Sequence, residues 1–218
     1  MTGSGLLFSE MTPASEWADR FHDWYDTEHI PVRMRVPGFT GAQRYGAVEG
    51  GGFLAVYDME NPGVLDTPAY LQVKKNPSER TRWMLEHVTG FTRYTCEEIA
   101  RQQRDGGTGL ASPVLYAVFF EVPQDRLQAF DDWYEQDHVP ILMRCPGWQM
   151  VRRFGIVSGE PERYNRLALH YLSSVADLDS EARQEARRSP WRARLAQEPW
   201  FKGKYLVFHR HGPRQAAS

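Results

Sequence analysis

Residues 21–46 read FHDWYDTEHIPVRMRVPGFTGAQRYG, and residues 130–155 read FDDWYEQDHVPILMRCPGWQMVRRFG. The second stretch lies 109 positions after the first, aligns with it without a gap and shares 12 of its 26 residues. Many of the other pairs conserve chemical character, as Ile30 and Val139 do. A repeat of this length predicts that the chain contains two copies of one structural unit.

The repeat divides the 218 residues into two units of ordinary domain size. We expect the first unit over residues 1–100 and the second over residues 113–218. Residues 101–112, which include the sequence RQQRDGGTG, are polar and rich in glycine, as linkers often are. We therefore predict a linker at this position.

The pattern of each unit predicts the element order β-α-β-β-α-β. A short apolar run opens each unit, at residues 6–8 and 114–120, and apolar residues at helical spacing follow it. The first helices are expected to end near His29 and His138, because Pro31 and Pro140 disfavour helical geometry in the residue before them. Two strands, a second helix and a closing strand complete each unit.

This order predicts an α+β fold made of two tandem ferredoxin-like units. Each unit would form a four-stranded antiparallel sheet with its helices on one face. The other face of each sheet would be apolar, and the two units could bury these faces against each other. The expected architecture is therefore an intramolecular dimeric α+β barrel.

Composition excludes several classes of protein. The net charge of −2 argues against nucleic-acid binding, and no apolar run approaches the roughly 20 residues that span a membrane. The first residues lack the pattern of a signal peptide, so a cytoplasmic location is expected. Metal-binding and nucleotide-binding motifs are absent, and Cys96 and Cys145 are interpreted as small buried side chains. No cofactor is expected.

The repeated histidines and tyrosines are the candidate catalytic residues. Tyr25 and His29 are four positions apart, as are Tyr134 and His138, so each pair shares one face of a helix. The end of a helix and the neighbouring carboxylates would favour a protonated imidazole. Such a histidine next to a phenol can act as a general acid or base. Alternatively, the histidine caps the helix and the tyrosine packs beneath it.

The candidate substrate-binding residues are arginines, aromatic residues and one further histidine. An arginine directed into a pocket would bind an anion, but it could equally pair with acidic residues of the helices. Tryptophans could line a pocket for a flat ring, although aromatic residues at helical spacing are more often part of the core. A histidine on a strand between apolar neighbours could enter the pocket of the second unit or belong to its core. These candidates are Arg44, Arg153, Trp24, Trp133 and His170, the last of which is aligned with Val56.

The stretches WYDTEHIPVRMRVPG (residues 24–38) and WYEQDHVPILMRCPG (residues 133–147) resemble the W-Y-x-x-x-H-x-P…P-G signature of EthD-like members of the dimeric α+β barrel superfamily. The resemblance covers both units. It implies a pocket between each sheet and its helices, with the histidine of the signature pointing into it. The superfamily includes cofactor-free monooxygenases, isomerases, cyclases, lyases and haem enzymes, so the resemblance does not select a reaction.

The first functional hypothesis is a cofactor-independent lyase or isomerase that uses general acid/base chemistry in decarboxylation, dehydration or ring closure. The first alternative is a cofactor-free monooxygenase of an aromatic or polyketide substrate, and a haem enzyme is a variant of it. The second alternative is a non-catalytic binding or assembly module. The expected partner is a hydrophobic, aromatic, anionic small molecule rather than a nucleic acid or a membrane, and a homodimer of the pseudo-dimeric chain is a further expectation.

Overall fold

The computed structural model describes residues 3–161 and 163–217. The chain forms two compact units, each of which is discontinuous in sequence. The first unit contains the chain up to Glu97, together with Val157–Pro161 and the segment that begins at His211. The second unit contains Glu98–Ile156 and the stretch that ends at Arg210.

The first unit contains a sheet in which β1 pairs with two antiparallel neighbours, β3 and β4, and β2 pairs with β3 on its other side. Leu7 of β1 lies opposite Tyr57 of β3 and Thr95 of β4. The strands are β1 (Gly5–Thr12), β2 (Phe39–Ala47), β3 (Phe53–Met59) and β4 (Thr89–Gln103), whose end belongs to the second unit.

The helices of the first unit follow β1 and β3. Aromatic residues of α1 pack with Leu7, Phe39 and Tyr57 of the sheet in one buried cluster, to which Tyr70 of α3 and Met84 of α4 also belong. The helices are α1 (Ala18–Trp24), α2 (Ile30–Met34), α3 (Pro68–Lys75) and α4 (Glu79–His87).

The second unit repeats this order of elements. Its strand β5 pairs with β7 and β8, and β7 pairs with β6, all in antiparallel fashion. The strands are β5 (Val114–Phe120), β6 (Trp148–Glu160), β7 (Arg166–Leu172) and β8 (Lys204–Ala216). The helices are α5 (Leu127–Trp133), α6 (Val139–Leu142), α7 (Glu181–Arg188) and α8 (Pro190–Leu195).

One face of β5 carries the core of the second unit. Alternate residues of this strand, from Val114 to Phe120, belong to one buried cluster with Phe130, Trp133 and Tyr134. Since successive strand residues point to opposite faces, this alternation places the cluster on the helix side of the sheet. The α5 aromatic residues and the sheet therefore form the apolar frame around the site described below.

The segment predicted as a linker is partly regular. Strand β4 runs through Gln103, because Arg101 and Gln102 continue its extended backbone past the predicted end of the first unit. A short 3₁₀ turn follows at Gly109–Ala111. The glycine-rich segment after β2 is a turn, and Gly50 and Gly51 adopt the positive φ values that such a turn requires.

The fold is α+β. The packing of the predicted apolar sheet faces against each other stays a prediction. None of the helices in the described part of the chain is both long enough and apolar enough to cross a membrane.

Candidate active site

The repeated tyrosine and histidine lie on a single wide turn in the middle of each first helix. In the second unit, residues Tyr134–His138 form one π-helical turn between α5 and α6, and the N–H of Val139 bonds the carbonyl of Tyr134, five residues earlier. In the first unit, Tyr25–His29 form the same turn. Turns of this type occur frequently at functional sites.

The prediction that the first helices end at the histidines is therefore wrong. Helical structure continues through Pro31 in α2 and through Pro140 in α6. A proline inside an ordinary α-helix loses one hydrogen bond and presses its ring against the preceding turn. A π turn, which is wider than an α-helical turn, precedes each proline, and helical structure continues past the proline in both units.

The turn brings each tyrosine and histidine ring together, as the four-residue spacing predicted. The ring centroids of Tyr134 and His138 are 5.0 Å apart, and those of Tyr25 and His29 are 4.9 Å apart. All four side chains are buried or nearly so. The two copies differ in what surrounds these rings.

The second unit has a cavity of about 330 Å³ beside this turn. Its walls are mostly aromatic, and both His138 and Tyr134 contribute to them. The other aromatic residues of the wall are Tyr116, Phe120, Trp133, Trp148, His170, Phe201 and Tyr205. A cavity of this size and lining suits a compact, flat ring system.

His170 links two of these residues through hydrogen bonds. Its Nδ1 atom lies 3.1 Å from Trp148 Nε1, and its Nε2 atom lies 2.9 Å from the hydroxyl oxygen of Tyr134. An indole N–H can only donate, so Nδ1 of His170 must be the acceptor. In the neutral ring the proton is then on Nε2, which donates to Tyr134.

This arrangement leaves the proton of the Tyr134 hydroxyl available for a ligand. Burial lowers the pKa of His170 well below its ordinary value, so the ring is neutral at physiological pH. Burial raises the pKa of Tyr134 well above 10, so the phenol keeps its proton. Tyr134 thus accepts from His170 and can donate to a group in the cavity.

The alignment of His170 with Val56 is wrong. In the sheets, His170 lies opposite Tyr116 and Val151, whereas Tyr57 lies opposite the equivalent residues Leu7 and Ala42. Tyr57 is therefore the counterpart of His170. Strand β6 is four residues longer than β2, so the two copies are offset by 113 positions at β3 and β7, one fewer than the alignment with Val56 assumed.

His138 borders the cavity as a buried, neutral imidazole. Its Nδ1 atom is buried and has no hydrogen-bond partner among the described residues. Burial, together with the positive charges of Arg192 and Arg183, lowers the pKa of His138 to about 3. An unpaired polar atom in a buried wall is costly unless a ligand satisfies it.

The prediction of a protonated histidine is therefore wrong for this residue. His138 does not stand at a helix C-terminus, because α6 follows it directly. The carboxylates next to it in sequence also point elsewhere. Asp137 accepts a hydrogen bond of 2.6 Å from Ser189, the residue that caps α8, and Glu135 lies 3.5 Å from Arg153. Desolvation then dominates the pKa.

Three arginines border the same cavity, and sequence reasoning did not select them. Arg183 and Arg187 lie four positions apart on α7, and Arg192 lies on α8. None of the three forms an ion pair with a described carboxylate, and no acidic residue lines this cavity. The cavity therefore has a positive wall that suits an anionic ligand. The helical spacing of Arg183 and Arg187 was the available signal.

Arg44 and Arg153, which were candidates for anion binding, are paired with acidic residues of their own units. Arg44 lies 2.9 Å from Asp26, and Arg153 lies 2.6 Å from Asp131. Neither arginine lines the cavity that contains the histidine of its unit. The strand alternation directed both side chains toward the helices, and the helices supply the carboxylates that bind them.

The remaining candidates divide between the two units. Trp24 is fully buried, donates a 2.9 Å hydrogen bond to Thr81 and does not line the cavity of its unit. Tyr25 also lies outside that cavity, and its hydroxyl is 3.7 Å from the sulfur of Met11. By contrast, Trp133 borders the cavity of the second unit, and its Nε1 atom has no described partner.

The first unit has its own cavity of about 750 Å³, which His29 and Tyr57 border. Burial lowers the pKa of His29 well below its ordinary value, so this imidazole is also neutral. The carboxylates of Asp26 and Glu28 bind other groups instead of this imidazole. Asp26 pairs with Arg44, and Glu28 accepts a hydrogen bond of 2.7 Å from Thr81.

No group of three histidine, cysteine, aspartate or glutamate side chains within residues 3–161 and 163–217 is arranged to hold a metal ion. Cys96 and Cys145 are both free and buried.

Comparison with known proteins identifies the fold. No family model and no curated protein matches the chain. Among solved structures, an anthrone oxidase-like protein aligns with a TM-score of 0.72 and 14% identity over 100% of this chain and 96% of that one. A proposed monooxygenase from Fusobacterium nucleatum aligns with a TM-score of 0.61 and 6% identity, over 99% and 96%. A proposed monooxygenase from Lactobacillus acidophilus aligns with 0.57 and 11%, over 98% and 97%.

Identities this low establish the fold and leave the reaction open. The matched structures are ferredoxin-like or dimeric α+β barrel proteins, which agrees with the α+β part of the expected fold class, whereas the tandem ferredoxin-like units stay a prediction. The EthD-like assignment stays a prediction.

Proposed function

We propose that the chain is a cofactor-independent oxygenase that oxidises a hydroxyaromatic anion in the cavity of the second unit. The observation that carries this proposal is the pairing of two groups in one wall: the neutral, unsatisfied imidazole of His138 and the phenol of Tyr134, whose proton His170 directs toward a ligand. One group can take a proton, and the other can stabilise the negative charge that results.

The walls indicate the substrate class. A cavity of about 330 Å³ with aromatic sides suits a compact polycyclic ring, and the guanidinium groups of Arg183, Arg187 and Arg192 suit an anion. A hydroxyaromatic ketone with an acidic C–H group combines these properties. It becomes an extended phenolate when it loses a proton, so its charge is spread over a flat ring.

In the proposed reaction, His138 removes a proton from a CH₂ group of the substrate, and Tyr134 donates a hydrogen bond to the oxygen that gains charge. A base with so low a pKa is weak by itself, but the anion formed beside it stabilises the imidazolium. The nearby arginines stabilise the anion in turn. The ion pair therefore forms inside the cavity with little exposure to water.

The substrate anion then supplies the electrons for oxygen. It transfers one electron to O₂, and the two radicals combine to a C–O–O⁻ group, which takes the proton back from His138. Loss of water from this hydroperoxide leaves a carbonyl group. The balance is CH₂ + O₂ → C=O + H₂O, so the reaction requires no external reductant.

The same residues could serve the lyase or isomerase chemistry of the first hypothesis. The oxygenase is preferred because the solved structures with this fold include an anthrone oxidase-like protein and two proposed monooxygenases. The proposal retains the interpretation of the chain as two copies of a ferredoxin-like unit, with the second copy as the catalytic one.

Oxygen consumption tests the proposal. The wild-type protein and the His138→Gln variant would be mixed with 1,8-dihydroxyanthrone in an oxygen electrode, and the spontaneous oxidation measured without protein would be subtracted. We expect one O₂ consumed per carbonyl formed in the wild type and a rate at least about 100-fold lower in the variant. Substrate turnover without oxygen uptake would instead support the lyase or isomerase hypothesis. Equal rates in the two proteins would contradict the assigned role of His138.

A further inference from the structure

The first unit contains a cavity that differs from the proposed catalytic one in size and lining. Its volume is about 750 Å³, against about 330 Å³ in the second unit. Where the second unit has His170, the first unit has Tyr57, so the hydrogen-bonded histidine is missing here. The two cavities therefore differ in their hydrogen-bonding groups, although both units carry the same sequence motif.

Aliphatic and thioether side chains outnumber aromatic ones in the walls of this cavity. Its aromatic members are Phe91, His29 and two tyrosines, whereas aromatic residues dominate the other cavity. The aliphatic and thioether side chains that line it are Leu7, Met11, Val32, Val73 and Leu85. A lining of this kind suits a flexible hydrocarbon chain better than a rigid ring.

A fixed guanidinium group lies in the same wall. Arg33 donates a 3.0 Å hydrogen bond from Nη1 to the carbonyl of His29, and its guanidinium carbon lies 5.5 Å from the ring centroid of Tyr57. Its Nε atom is buried and has no hydrogen-bond partner among the described residues. The matching position of the second unit is Leu142, so this cation is particular to the first cavity.

Two further polar features bear on the charge of a ligand. Arg93 lines the cavity and donates a 2.8 Å hydrogen bond to the hydroxyl of Tyr70. Two glutamates also line it, but Glu28 accepts hydrogen bonds from Thr81 and Ser78, and Glu160 is exposed at the rim. Among the described residues of this wall, the buried polar atoms without a partner are therefore the neutral hydroxyl of Tyr57 and Nε of the Arg33 cation.

We infer that this cavity is a binding site for an aliphatic carboxylate. The carboxylate would accept a hydrogen bond from Nε of Arg33, and the hydrocarbon chain would contact the aliphatic wall. A charge-assisted hydrogen bond in a buried site is among the stronger polar contacts a protein makes. This inference does not depend on the proposed oxygenase activity, because the two cavities share no residue.

Calorimetric titration with decanoate tests the inference. We expect saturable binding to the wild type and a Kd at least about tenfold higher for Arg33→Leu, which installs the residue of the second unit. The matched control is Arg82→Leu, since Arg82 is exposed on α4 and does not line the cavity. The Kd of this control for decanoate should lie within about twofold of the wild-type Kd, so that a tenfold change in Arg33→Leu can be distinguished from it.

Two further variants and one further ligand complete the test. Arg33→Gln repeats the measurement if Arg33→Leu does not fold, as judged by circular dichroism. Val32→Trp places a bulkier side chain in the wall of the cavity and should weaken decanoate binding. Decanol, which lacks the charge, should bind with the same Kd to the wild type and to Arg33→Leu.

The outcomes separate this inference from the proposed function. Decanoate binding that persists in His138→Gln supports the inference even if the wild type consumes no oxygen. The inference is overturned by an absence of saturable decanoate binding to the wild type, or by an affinity that Arg33→Leu leaves unchanged. Binding that is lost in Arg192→Gln rather than in Arg33→Leu would also overturn it, because the ligand would then occupy the second cavity.

Discussion

The Nε2 atom of His170 lies 2.9 Å from the hydroxyl oxygen of Tyr134. Because Trp148 occupies the other ring nitrogen of His170, this short contact has one direction: His170 donates and Tyr134 accepts. The consequence is a phenol that faces the cavity as a donor. The predictions below depend on this polarity and on the charges that surround His138.

The tautomer of His170 should depend on Trp148. Trp148→Phe removes the N–H that donates to Nδ1, so the Nε2–H form loses its stabilisation and both neutral tautomers should become populated. Long-range ¹H–¹⁵N NMR correlations of the ring distinguish the two forms. A spectrum that shows a single Nε2–H tautomer in both proteins would contradict the direction assigned to the hydrogen bonds.

Loss of the Tyr134 hydroxyl should reduce kcat in the oxygen assay. Tyr134→Phe removes the donor to the substrate oxygen, and we expect a loss of about 100-fold, as for other donors to a developing negative charge. The matched control is Tyr25→Phe in the other copy, where the hydroxyl contacts Met11 and does not line the cavity. Similar kcat values for the two variants would exclude a specific role for Tyr134.

Arg192 should affect substrate binding and the pKa of His138. In Arg192→Gln, a cation that lowers the pKa of His138 is removed, so that pKa should rise from about 3 while burial keeps it below its ordinary value. The KM of an anionic substrate should rise about tenfold with a smaller change in kcat. NMR titration of the imidazole and steady-state kinetics measure the two effects. An unchanged KM would mean that the substrate carries its charge elsewhere.

Stability should fall when the pH is lowered below the ordinary pKa of histidine. His138 takes up a proton near pH 6.5 in the unfolded chain but only near pH 3 in the folded one, so protons favour unfolding throughout this interval. Between pH 7 and pH 5 this single residue should cost about 2 kcal/mol of unfolding free energy. His29 and His170 act in the same direction.

Urea denaturation at pH 7 and pH 5 measures this dependence. His138→Gln removes one titrating group, so its unfolding free energy should change less between the two pH values than that of the wild type, by about 2 kcal/mol. If the wild type were equally stable at both pH values, the three histidines could not be buried in neutral form.

Local patterns were sufficient for the order of the strands and for the main contact of the site, but they did not predict the helices α4 and α8. The spacing of Tyr134 and His138 placed their rings side by side, and the structure agrees. The continuous apolar run at residues 114–120 likewise anticipated a buried strand. These features depend on residues that are close in sequence, where backbone periodicity alone determines which side chains are neighbours.

Two kinds of feature could not be predicted in this way: the type of helical turn before each proline, and the contacts made by segments distant in sequence. The proline rule ended each helix at the histidine because it assumes an ordinary α-helix, whereas the chain forms a π turn there. Arg153 was a candidate for anion binding because its strand faces the helices, but only the packed structure shows that Asp131 meets it. The arginines that do border the cavity come from α7 and α8.

The sequence by itself determined that the chain has two copies of one motif, with a tyrosine and a histidine on one helical face in each. The tertiary structure decided that these histidines are neutral and that the two cavities differ. The physical reason is that periodicity acts over a few residues, whereas desolvation and electrostatic fields depend on everything packed around a group. His138 has its low pKa because burial desolvates the ring and because Arg183 and Arg192, more than forty positions away, place positive charge near it.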